Sequence, residues 1–213
     1  MANLNTTETN SIQTLVIGED YYRNKVTVLS GQGSLAAGTV LGKIKVALHG
    51  TPSTYSGTGN GAMSGHAIGK DAKIGNYIVR CITAATNGGV FAVYTPTGER
   101  LTDATVGTAY STTHIGFTIA DGGTDFIVGD TFTVTTIAGS GKYKKVNSEN
   151  TDSSAYPDVI LLEDTDATNA DANGVAAYSG VFNEDSLVFG GTDTKATHRE
   201  SLRNKNIFLE TIQ

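Results

Sequence analysis

Short runs of Val, Ile, Thr, Tyr and Phe recur along nearly the whole chain, and turn-forming residues interrupt them at roughly 8- to 12-residue intervals. Such a chain is confined to sheets. Thr, Val and Ile are stiff at χ1 and suit a pleated surface, and the 26 glycines supply the tight turns between strands. The clearest runs are Lys25–Leu29, Gly38–Val46, Tyr77–Thr83, Val90–Tyr94, Ile115–Ile119, Phe126–Val128 and Thr131–Thr135, followed by Asp158–Glu163, Val175–Phe182, Ser186–Phe189 and Ile207–Ile212. Only residues 194–206 read as helix, with Thr197 as the expected cap, Glu200 three residues on and Leu202 as the apolar contact. The fold class expected is mainly β with one short C-terminal helix.

Two flexible joints divide the chain. Residues 50–66 (GTPSTYSGTGNGAMSGH) are dense in Gly, Ser and Thr and read as a linker, and Ala138-Gly139-Ser140-Gly141-Lys142 reads as a second joint. The organisation expected is a flexible N-terminal arm over 1–17, a discontinuous β core over 18–49 and 142–213, and an inserted, small β-sandwich-like domain over 50–141. Residues 1–13 are polar and lack any period. They predict no secretory leader, and no apolar run approaches the roughly 20 residues of a membrane span. Thr14-Leu15-Val16-Ile17, the first apolar patch, reads as an edge strand or as a strand that waits for a partner.

Charge narrows the function. Between Lys145 and Lys195 lie ten acids and no Lys or Arg, which leaves 11 acids against 15 bases elsewhere. No stretch pairs clustered basic residues with aromatics, so the chain carries no nucleic-acid footprint. The single Cys81 excludes an internal disulfide framework, and its alternating neighbours predict a buried thiol. Gly31-Gln32-Gly33-Ser34-Leu35-Ala36 fits a loose dinucleotide pattern but leads into a strand rather than a helix. Gly139-Ser140-Gly141-Lys142 resembles the tail of a phosphate loop, yet Ile137 and Tyr143 stand where Gly and Ser or Thr are needed. In the acidic run Asp164–Gly174 a calcium-loop register would put Gly180 where a bidentate Glu belongs, so a solvated turn is expected, with cation binding left open. His49, His66, His114 and His198 are scattered, no nucleophile elbow occurs, and adjacent acids such as Glu163/Asp164 point to opposite faces of a strand. The expectation is a protein that is not an enzyme and uses no cofactor and no metal.

The flanks of the expected insert resemble the lambda-type phage head decoration protein family. The resemblance rests on Arg23-Asn24-Lys25-Val26-Thr27-Val28, Ser30-Gly31-Gln32 and Leu35-Ala36-Ala37-Gly38-Thr39-Val40-Leu41-Gly42-Lys43-Ile44 in the first part. In the second it rests on Val159–Asp164, Gly180-Val181-Phe182-Asn183-Glu184-Asp185-Ser186-Leu187 and Arg199–Leu209. Asn206 stands where a Gly is common in that family, and Asn also tolerates a left-handed backbone. The 50–141 segment is similar to small β modules of phage virion proteins. The resemblance implies a β-clip-like decoration core, a homotrimer on the outer capsid surface at three-fold and quasi-three-fold positions, the major capsid protein as partner, and a place in the virion after assembly in the host cytoplasm. Thr14, Leu15, Val16 and Ile17 are then the expected capsid-binding residues, acting by strand addition and contributing little to the free fold. No membrane partner is expected, and a surface ligand for the insert stays open. A tail or baseplate component, or a carbohydrate-binding β module, is the competing reading.

Overall fold

The computed structural model describes residues 14–212. The expected arm therefore lies, over residues 1–13, outside the described residues. From the N-terminus come β1 (Val16–Val28), β2 (Gly33–Leu35), β3 (Val40–Lys43), β4 (Val46–Ser56), β5 (Ala62–Ile68), β6 (Gly75–Ala85), β7 (Gly88–Tyr94) and β8 (Ala104–Thr105). There follow β9 (Ala109–Ser111), β10 (Ile115–Ala120), β11 (Thr131–Ala138), β12 (Tyr143–Lys145), β13 (Val159–Leu161), β14 (Thr165–Ala167), β15 (Ala172–Asn183), helix α1 (Lys195–Arg203) and β16 (Ile207–Glu210). Among the described residues the protein is mainly β, with one short C-terminal helix besides the helical backbone of Thr14 and Leu15 just ahead of β1. Two compact units divide the described residues: 14–44 with 141–212 form unit 1, and Lys45–Ser140 form unit 2.

Unit 1 is built on a ring of strands. β1 pairs antiparallel with β15 along almost its full length, β15 with β13, β13 with β3, and β3 with β12. One parallel pair, Val28↔Tyr143, returns β12 to β1 and closes the ring. Closure removes most of the unpaired backbone that an open sheet would present. Val26, Val28, Leu41, Val159, Leu161 and Ala176 fill one apolar cluster, and Leu15, Val40, Ile160, Phe182, Leu202 and Ile207 fill a second. β16 adds to β15 in parallel and is the edge strand.

Unit 2 is a sandwich of a five-stranded sheet (β4-β11-β6-β7-β8) and a three-stranded sheet (β5-β10-β9). Its core follows strand alternation. Tyr77, Val79 and Cys81 of β6, Ile115, Phe117 and Ile119 of β10, and Phe132 and Val134 of β11 all point inward and are buried. Burial pushes the Cys81 thiol up, so it stays a neutral packing group. The stretch 50–66 is not a linker. It supplies most of β4 and β5, because its small polar residues occupy an edge strand whose backbone pairs with β11 while Leu48 and Tyr55 face the core. Phe126–Val128 is not a strand either. Phe126 anchors a loop in the core, and the buried Asp130 carboxylate ties that loop down by accepting from Tyr55 Oη (2.7 Å), Thr58 N (2.9 Å), Gly59 N (3.0 Å) and Ile127 N (3.1 Å). Burial alone would raise this carboxyl; the donors outweigh it and hold the group below the ordinary carboxylate range, while burial and Asp130 push the Tyr55 hydroxyl up to about 12.

Unit 1 is left and re-entered at neighbouring points. Ile44 N donates to Lys142 O (2.9 Å) and Gly141 N to Ile44 O (3.0 Å). A short turn can therefore replace unit 2 at small entropic cost. Replacing residues 46–138 by a Gly-Gly turn should leave a soluble unit 1 with a single cooperative thermal transition; loss of cooperative unfolding by circular dichroism would show that unit 1 needs unit 2 to fold.

Candidate functional site

Thr14 and the residues after it are held tightly within unit 1. Leu15 is 2 % exposed and packs with Val16 on the core that holds Phe182 and Leu202. Val16 pairs with Phe182 and Ile17 with Val181. The Thr14 carbonyl accepts from Asn183 Nδ2 (3.1 Å) and Ser186 Oγ (3.3 Å). Gly38 makes this grip possible: with φ +88, a Cβ there would lie 2.2 Å from the Ser186 carbonyl oxygen and 3.4 Å from Leu15 Cδ1. The four expected site residues thus stand together at one end of the ring. They do not form a separable arm, since Leu15 and Val16 already fill the protein's own core. Among the described residues β1 has a second strand neighbour only at Val28, so the edge of Val16–Ile17 opposite β15 faces no strand.

The Asn183–Ser186 segment beside Thr14 is itself organised by Glu184. Its carboxylate accepts from Lys195 Nζ (2.9 Å) and Thr211 Oγ1 (3.1 Å), and pairs with Arg199. The hydrogen bonds from Lys195 and Arg199 hold this carboxyl at about 2, against an ordinary value of 4.5. One carboxylate thereby links the N-terminal entry, α1 and the chain beyond β16. A second, buried junction holds the start of α1. His198 Nε2 lies 2.7 Å from Asp193 Oδ2, Asp193 also accepts from Ser148 N and Oγ (both 2.6 Å), and Phe189 stacks on the His198 ring at 5.5 Å. Burial pushes the Asp193 carboxyl up, and these donors more than reverse it. With Ser148 and His198 on the same carboxylate, this trio stitches loops to the helix; it offers no serine hydroxyl to a histidine base.

The acidic stretch turns out to be the partner of its basic flanks. Asp152 pairs with Lys144, Asp158 with Lys205, Asp171 with Lys142, Glu184 and Asp185 with Lys195, and Asp193 with His198. In the 164–174 run the oxygens are engaged by protein groups: Asp164 accepts from Ala37 N, Asp166 from Thr168, Asp171 from Ser30 N, and Asn173 from Thr27. No cluster of three or more metal-ligating side chains occurs among the described residues. Sequence reasoning placed Thr14–Ile17 and the Gly180–Leu187 segment but missed their mutual contact, as well as the Ser148–Asp193–His198 trio. The helix cap was missed by one turn: Thr194 N donates to Thr197 Oγ1 (3.2 Å), so α1 begins at Lys195 with Thr197 inside its first turn.

A family model described as bacteriophage lambda head decoration protein D matches residues 5–207. The chain belongs to that family. Its role is accordingly that of a structural phage protein that decorates the capsid of the virion. The match runs through both parts of unit 1, including Gly38, the Asn183–Ser186 grip and α1. A search of curated proteins returns no match. A solved structure, that of Xanthomonas campestris FlgL, matches at 18 % identity over 51 % of this chain and 34 % of its own, with a TM-score of 0.31. The chain thus spans about a third of that protein's length, and at this TM-score the likeness carries no argument about the decoration protein.

Two tests follow from the grip. Leu15→Ala should lower the stability of the decoration protein by about 2–5 kcal/mol in urea unfolding, the cost of a core cavity; an unchanged midpoint would place Leu15 outside the core. Because the folded-state value of Glu184 lies below its unfolded one, its contribution is fully present above pH 4.5 and is lost as pH falls towards about 2. Glu184→Gln should therefore lower the melting temperature at pH 7 and flatten its decline between pH 4.5 and 2. A decline as steep as in the parent would assign the acid sensitivity to other carboxylates.

Proposed function

We infer that the protein binds the outer surface of a phage head as a homotrimer at three-fold and quasi-three-fold positions, clamping neighbouring capsid subunits and stabilising the expanded shell. The observation that supports this best is the family match over residues 5–207, coinciding with a first strand whose start is fixed to the ring on one edge and open on the other. Thr14, Leu15, Val16 and Ile17 are the root of the contact. Leu15 and Val16 secure it to the core, and the open edge of Val16–Ile17 accepts a strand of the major capsid protein by main-chain pairing. Ile17, half-buried and directed away from the Val16 side, gives that strand an apolar neighbour.

Three such roots in one trimer multiply modest contacts through effective concentration, so no single root needs high affinity. Unit 2 has its own core and its own two sheets, and capsid binding does not depend on it; it is an inserted module available for a separate surface ligand. Assembly takes place in the host cytoplasm, where shell and decoration meet.

Deleting residues 2–13, or changing Ile17→Asp, should cut binding to expanded heads by about 100-fold in a co-sedimentation assay, through loss of a contact repeated three times. The melting temperature of the free protein should stay within a few degrees of the parent. Undiminished binding by both variants would overturn strand addition at this root.

A further inference from the structure

We propose that the acidic bulge of β1 docks into the groove between α1 and β16 of a second copy, and that this head-to-tail contact builds the ring of three. The proposal rests on the trimer reading above and names the surfaces that would form it. The bulge is a defined projection. Ile17 pairs with Val181 and Tyr22 with Ser179, so residues 18–21 stand opposite Gly180 alone. Gly180 is required there: at φ +138, a Cβ would lie 2.8 Å from the Tyr21 Cβ. Tyr21 turns inward and packs on the core, which fixes the base of the bulge. Its outer residues are displayed: Glu19 and Asp20 are exposed, and Tyr22 is 60 % exposed, standing edge-on to Tyr178. A strand that leaves its ladder to present two carboxylates and an aromatic ring gains little from doing so in isolation.

The groove complements it. A depression of about 210 Å³ is lined by Arg199, Arg203, Ile207, Phe208 and Leu209 with two flanking glutamates. Its floor includes Phe208, 45 % exposed on the edge strand β16. On its wall the Arg203 side chain is 67 % exposed and reaches Glu200 only at 3.9 Å. The groove thus offers an apolar floor for the Tyr22 ring and a cation for Glu19 or Asp20.

Placement favours a small closed ring. β1 and β16 lie on either side of the same strand, β15, so bulge and groove are near neighbours on one subunit. Unlike surfaces on one subunit give a ring where the rotation between copies closes and a filament where it does not, and surfaces that lie close together call for a large rotation per copy and hence a small ring.

A chain carrying Tyr22→Cys and Phe208→Cys, treated with a short thiol crosslinker both free and on expanded heads, tests this; the native Cys81 is buried. Covalent trimers from the double variant, and no crosslinked species from either single variant, are expected. Covalent dimers from a single variant would mean like meets like and would overturn the proposal. A second arm uses charge. Arg203→Glu should weaken self-association about tenfold, and adding Asp20→Lys should restore most of it. If an amine crosslinker still captures trimers while the thiol pair and the charge swap have no effect, the trimer stands and these surfaces are wrong. If no reagent captures trimers even on heads, the trimer reading itself falls.

Discussion

The antiparallel pairing of β1 with β15 is the constraint on which the rest of unit 1 depends. It joins segments from the two ends of the chain, from Val16↔Phe182 to Val28↔Ala172. Through it the ring closes, the N-terminal entry meets Asn183 and Ser186, and the edge strand β16 has something to join. Pairing so distant in sequence costs loop-closure entropy before any contact rewards it. The buried apolar side chains on the two strands and the Glu184 junction at their end offset that cost. The same pairing positions Gly180 opposite the bulge, so one ladder sets both the root proposed for capsid contact and the projection beside it.

That architecture also explains how a module of the size of unit 2 can interrupt the chain. The break falls at Ile44 and Gly141–Lys142, which are hydrogen-bonded to each other, so residues 45–140 add loop length without pulling the ring apart. Unit 2 answers for its own stability through the Phe91, Phe126 and Phe132 cluster and the Asp130 carboxylate that secures its loop.

What was legible in the sequence was local. Alternation along Tyr77–Thr83, Ile115–Ile119 and Thr131–Thr135 marked strands that the structure contains, with their inward faces as the pattern required. The stretch 50–66 was misread because Ser, Thr and Gly in an edge strand look like a linker when the partner, β11, lies far along the chain. Ser186–Phe189 looked like a strand, yet it continues from a 3-10 turn at Glu184–Ser186 and contributes only an isolated bridge, Thr39↔Val188. At the candidate site the apolar patch Thr14–Ile17 was visible, but not that its first partner is β15 of the same chain. The run of ten acids holds no Lys or Arg of its own; the cations that answer it sit just outside, at Lys142, Lys144, Lys195 and Lys205. Side-chain pairing across a fold leaves no local period to read.

The central claim is that unit 1 meets the shell through its N-terminal root, three copies together. A reconstruction of expanded heads saturated with the protein tests it most directly. The account predicts three-lobed density at three-fold and quasi-three-fold positions, with residues 14–17 against the shell and continuous with a capsid strand. Density for single copies, or trimers that turn this end away from the shell, would contradict it.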